Sequence, residues 1–108
     1  MRAIVICPDL ELRSSFEKVA ADCTHLKIAK SCAYYPQADE FRRLVRVWNP
    51  EVVFISMETV GAAERIVEQL DLEFPTIQRV ALSETEDPAI LRQAMEIENR
   101  IGRDAAAA

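Results

Sequence analysis

Pro50-Glu51-Val52-Val53-Phe54-Ile55-Ser56-Met57 is the stretch on which the fold turns. Four apolar residues run together without alternation, three of them β-branched, between Pro50-Glu51 and Ser56. An amphipathic helix or a half-exposed strand would interrupt such a run with polar residues. An unbroken one is the mark of a strand covered on both faces, the central strand of a parallel sheet.

The chain on either side repeats this unit. Ala3-Ile4-Val5-Ile6-Cys7 and Ile77-Gln78-Arg79-Val80-Ala81-Leu82 read as further strands, while His25-Leu26-Lys27-Ile28-Ala29-Lys30 alternates apolar and polar residues and suits an edge strand. Between them lie helix-period stripes: Leu12, Phe16, Val19 and Ala20; Phe41, Leu44, Val45 and Trp48; Ala63, Ile66, Val67 and Leu70. Asp9 is placed to cap the first helix, Pro36 opens the second, and Asn49-Pro50 and Phe74-Pro75 end the second and third. Asp87-Pro88 starts a fourth. The order β-α-β-α-β-α-β-α predicts a three-layer αβα fold around an open parallel sheet, with the strands of Ile4 and Val53 at its centre.

With 108 residues and 50% hydrophobic content, the chain is one domain with a real core. Residues 1–104 form it, and 105–108 read as a disordered or truncated tail. No apolar run approaches membrane-spanning length, so no membrane insertion is expected. A net charge of -5 and the lack of a basic stripe argue against nucleic-acid binding. Cys7, Cys23 and Cys32 form no C-x-x-C pair, and their odd number does not fit a closed disulfide framework. They read as reduced thiols of a cytoplasmic protein. Only Gly61 and Gly102 are present, so there is no glycine-rich loop for a nucleotide or flavin phosphate, and no cofactor is expected.

In sheets of this class chemistry gathers at the carboxyl ends of the strands. Those positions hold Cys7, Pro8 and Asp9 after the first strand, Ser56, Met57 and Glu58 after the third, and Ser83 and Glu84 after the fourth. Here the chain resembles the receiver domains of two-component response regulators, a flavodoxin-like fold. Ala3-Ile4-Val5-Ile6-Cys7-Pro8-Asp9 is similar to their first strand and acidic turn, Pro50 to Met57 to the third strand and acceptor site, and Val80-Ala81-Leu82-Ser83 to the fourth strand with its terminal hydroxyl.

The resemblance implies an acidic pair for Mg²⁺, an acceptor aspartate, a switch hydroxyl and a lysine on a fifth strand. The acidic pair falls on Cys7 and Pro8, the acceptor on Ser56 and the hydroxyl on Ser83. Mg²⁺ wants carboxylate oxygens in octahedral geometry, which proline and a neutral thiol do not supply, so no metal is expected. The fifth β-α unit and its lysine are missing or truncated. A similar degenerate receiver stands at the start of pilus-assembly ATPases of the CpaE/TadZ type, ahead of a ParA/MinD-like ATPase, and the opening Met1-Arg2-Ala3-Ile4-Val5-Ile6 is similar to those N-termini.

Several residues carry a structural expectation beside a functional one. Cys7 reads as a buried thiol rather than a redox sensor, and Asp9 with Glu58 as a solvated pair rather than a weak cation site. On the second helix, Arg42, Arg43 and Arg46 read as a solvated face with Asp39 pairing to Arg43, and Trp48 as core. Ser56 has no activating base in sequence, since the sole histidine, His25, belongs to the edge strand. The fourth helix bears Ile90, Leu91, Ala94, Met95, Ile97 and Ile101, a stripe too wide for an unpartnered helix.

The expectation is a receiver that takes no phosphoryl group and is not an enzyme, acting as an interaction and localisation module. It forms a homodimer through the fourth helix and serves an attached ATPase or output domain. The alternative is a signalling receiver phosphorylated at a non-standard site.

Overall fold

The fold is taken from a computed structural model of the chain, which describes residues 1–82. In chain order the elements are β1 (Arg2–Ile6), α1 (Leu10–Ala21), β2 (Lys27–Cys32), α2 (Ala38–Trp48), β3 (Val52–Ser56), α3 (Val60–Glu73) and β4 (Gln78–Leu82). The strands form one parallel sheet in the order β2-β1-β3-β4, so β1 and β3 are its interior strands, as the apolar runs require. The fourth helix, Ser83 and the tail at 105–108 lie outside the described residues.

All five residues of β3 are buried. Their side chains divide between two cores, one on each face of the sheet. On one face α1 lays Leu12, Phe16, Val19 and Ala20 over Ala3, Val5, Val52, Phe54 and Leu82. Phe16 and Phe54 meet with ring centroids 4.6 Å apart at 53°, the tilted arrangement that aromatic quadrupoles favour. On the other face α2 and α3 bring Phe41, Val45, Ala63, Ile66 and Leu70 onto Ile4, Ile6, Val53 and Ile55. Each fully buried side chain of this size contributes roughly 1.5–3 kcal/mol to folding.

The edge strand departs from simple alternation. β1 pairs Ala3 with Ile28 but Ile4 with Lys30, so Ala29 is an extra residue and the register slips there. Without the slip, Ile28 and Cys32 would share a face. With it, Ile28 packs on the α1 side and Cys32 on the side of α2 and α3. The strand runs over Lys27–Cys32 rather than 25–30.

The helix ends follow the expected chemistry. Asp9 caps α1, its carboxylate accepting from the amides of Glu11 at 2.8 Å and Leu12 at 3.2 Å. Asn49 closes α2 in the left-handed conformation at φ 47° and ψ 61°, which asparagine tolerates better than most residues, and Pro50 then prevents the helix from continuing. Pro36 lies one position ahead of Gln37, the N-cap of α2.

Two expectations on α2 are corrected. Trp48 is not core: it is 37% exposed. It shares the stripe of Phe41 and Leu44 but is the last helical residue, so little of the sheet remains for it to cover. Asp39 pairs with Arg42 at 2.7 Å rather than with Arg43. Arg42 also reaches Glu73 of α3 through Nε and Nη2, at 2.5 and 3.0 Å. A two-pronged bond to a carboxylate on the neighbouring helix fixes the guanidinium, and Asp39 joins it there.

Candidate functional site

The strand-end pocket is built from the turns after β1 and β3 and the loop between β2 and α2. Ser56 ends β3 and is 1% exposed. Its hydroxyl accepts from the amide of Glu58 at 3.3 Å, closing the turn that leads to α3. Its carbonyl accepts from the hydroxyl of Tyr35 at 2.6 Å, and that same hydroxyl accepts from the amide of Thr59 at 3.2 Å. Tyr35 therefore fastens the β3–α3 turn at both ends. Among the described residues no buried side-chain polar atom lacks a hydrogen-bond partner.

Cys7, fully buried, follows β1. Its amide continues the sheet ladder to the carbonyl of Cys32 at 3.0 Å, and its thiol approaches the carbonyl of Asp9 at 3.5 Å and lies beside Ser56. Burial pushes the thiol pKa up, and the neighbouring hydrogen-bonding groups of Asp9 and Ser56 with the charge of Arg13 offset only part of that. Cys7 is thus an apolar, protonated neighbour where the resemblance implies a carboxylate. Cys32 is likewise held protonated by burial.

The nearest acid, Asp9, uses its carboxylate as the cap of α1, and the Glu58 side chain is exposed. No group of three or more side chains suited to a metal ion occurs among the described residues. One cation does reach the site: Arg13, one helical turn past Asp9, donates from Nη1 to the carbonyl of Cys7 at 3.1 Å. His25 is far from Ser56. Its carbonyl accepts from the Met1 amino group at 2.7 Å at the amino ends of β1 and β2, so it cannot activate a hydroxyl at the opposite end.

The structure therefore brings together Cys7, Asp9 and Ser56 of the residues expected at this pocket, with Pro8 half-buried between them and Glu58 at the rim. The sequence reading missed Tyr35 and Arg13. Tyr35 carried one usable signal, an aromatic residue followed by Pro36 in a loop that leaves the carboxyl end of a strand. Arg13 sits on the solvent-leaning side of α1 and carried none.

No helix among the described residues is long and apolar enough to cross a membrane. The chain matches no protein-family model and no curated protein. Two solved structures resemble it. One is the isolated receiver domain of RcsB from Salmonella enterica serovar Typhimurium, in the presence of the phosphomimetic BeF3-. It is 12% identical with a TM-score of 0.64, over 91% of this chain and 72% of that one. The other is the non-phosphorylated receiver domain of the stress response regulator RcsB from Escherichia coli. It is also 12% identical, with a TM-score of 0.63 over 91% of this chain and 76% of that one. At this identity the likeness concerns the fold, and together with the four-stranded parallel sheet and its two helical layers it makes the fold receiver-like.

Proposed function

We propose that this chain is a receiver-like domain that does not accept a phosphoryl group and acts as a protein interaction module. The observation that carries the reading is the condition of Ser56. It stands at the carboxyl end of the interior strand β3, buried, with its hydroxyl and its carbonyl both occupied in holding the turn to α3. A phosphoryl-accepting carboxylate needs access, a divalent ion and a cation to pair with the product. Here the adjoining positions are a protonated thiol, a proline and a capping aspartate. Aspartyl phosphate cannot form on serine, and a serine ester lacks a base.

The interaction is self-association through the apolar stripe of Ile90, Leu91, Ala94, Met95, Ile97 and Ile101, which supports a two-fold dimer by its width. An attached output domain, of which a pilus-assembly ATPase is the kind that the N-terminal sequence resembles, is the element such a dimer would position.

Incubation with acetyl phosphate and Mg²⁺ followed by intact mass tests the first part. No adduct is expected; a stoichiometric phosphate adduct that disappears in Ser56→Ala would overturn it. Sedimentation tests the second. A concentration-dependent dimer abolished by Ile97→Glu is expected, and a strict monomer at high concentration removes the dimer from the reading.

A further inference from the structure

Among the described residues β4 pairs only with β3 and so ends the sheet on that side. The phase of its ladder is fixed at both ends. Gln78 donates its amide to the carbonyl of Glu51 at 3.0 Å, and the carbonyl of Leu82 accepts from the amide of Met57 at 3.0 Å. Successive residues of a strand turn their N–H and C=O groups to opposite sides. Gln78, Val80 and Leu82 therefore bond to β3, and Arg79 and Ala81 turn theirs to the open border.

The border suits a second strand. β4 keeps even register with β3 through all five of its residues, and it contains no proline or lysine. Its one charged residue, Arg79, is drawn back over α3, where it pairs with Asp71 and donates to the carbonyl of Val67 at 3.5 Å. Val80 packs on the α1 side but is only half-buried, and Ala81 is exposed.

The border is also complementary to itself. Two copies set antiparallel about a two-fold axis at Val80 place Arg79 of each opposite Ala81 of the other. In that register both outward residues form hydrogen-bonded pairs, and Val80 meets Val80 as an apolar pair between them. An axis at Arg79 would oppose two like charges, and one at Ala81 would carry Arg79 past the end of the other strand. An axis between residues would set outward groups against inward ones. We propose that β4 pairs with β4 of a second copy, antiparallel about Val80, so that two four-stranded sheets become one. The proposal rests on the self-association stated above and adds a backbone contact to it, in the same two-fold dimer.

The test is amide hydrogen exchange of the ¹⁵N-labelled full chain, measured above and below the concentration at which sedimentation shows the dimer forming. Exchange at Arg79 and Ala81 is expected to slow about ten-fold or more in the dimer, while Gln78 and Val80, already bonded to β3, stay unchanged. Val80→Cys in a Cys23→Ser background should form a covalent dimer under mild oxidation. A non-hydrogen-bonded pair sets its α-carbons about 4.5 Å apart, inside the range that a disulfide spans. Leu72→Cys in the same background, at a position 84% exposed on α3, reports random collision and should stay largely monomeric. Each variant's own amide spectrum verifies its fold. A dimer whose Arg79 and Ala81 amides exchange as fast as in the monomer, or a Val80→Cys chain that cross-links no better than Leu72→Cys, overturns the pairing and leaves the fourth-helix dimer standing. A strict monomer overturns both.

Discussion

The hydroxyl of Tyr35 donates to the carbonyl of Ser56 at 2.6 Å across a sequence separation of 21 residues. It also accepts from the Thr59 amide, so one side chain from the β2–α2 loop satisfies two backbone groups of the β3–α3 turn. Tyr35→Phe removes both bonds while keeping the ring. Unfolding in urea should show a loss of about 1–3 kcal/mol with an unchanged slope, since the folded and unfolded surfaces stay the same.

Placing a carboxylate at Ser56 should not turn this chain into a phosphoryl acceptor. Ser56→Asp places a charge at a position that is 1% exposed, beside a protonated thiol and with no group of three or more metal-binding side chains among the described residues to share a cation with it. The expected outcome is no adduct with acetyl phosphate and Mg²⁺ by intact mass, together with a stability loss of about 2–4 kcal/mol at neutral pH. The loss should shrink as pH falls and the new carboxyl is protonated. A stable variant that takes phosphate would overturn this expectation.

The three thiols should differ sharply in reactivity. Cys23 is partly exposed, whereas Cys7 and Cys32 are buried and held protonated by that burial. Iodoacetamide under native conditions should modify Cys23 first, and peptide mapping should find Cys7 and Cys32 labelled only after unfolding.

Glu73 carries a pH dependence with a definite sign. The hydrogen bond from Arg42 comes first among the effects that hold its carboxyl below the ordinary value of 4.5. A carboxyl depressed on folding stabilises the native state above its unfolded pKa, and this contribution disappears as pH falls through the folded value. Glu73→Gln should therefore lower the melting temperature slightly at neutral pH and flatten its dependence on pH below about 4.5. Salt should weaken the wild-type contribution, because the pair is largely solvated.

The parts of the fold legible in sequence were those fixed by burial on both faces. The runs around Ile4 and Val53 allow no other reading, and Asp9 and Asn49 sit where helix ends need them. Legibility failed where a distant residue or the end of an element decided the outcome. Arg42 was separated from Arg43 by Glu73, 31 residues away in sequence. Trp48 kept its place in the helical stripe but had run beyond the surface that would have covered it. Of the strand-end site, the identities of Cys7, Pro8 and Ser56 were plain, but the Tyr35 clasp depends on how one loop folds over another. Periodicity holds no record of that.

The slipped residue at Ala29 also governs how this domain can meet other chains. An exposed, regular strand invites a foreign backbone to lie alongside it and extend the hydrogen-bonded ladder, which is how fibrils begin. On β2 the ladder changes step in mid-strand, and the lysines at 27 and 30 stand exposed along it. A neighbouring strand in even register would lose its bonds on one side of the step or the other. The step and the two lysines thereby disfavour sheet growth along this border and leave side chains as the better means of contact from this side.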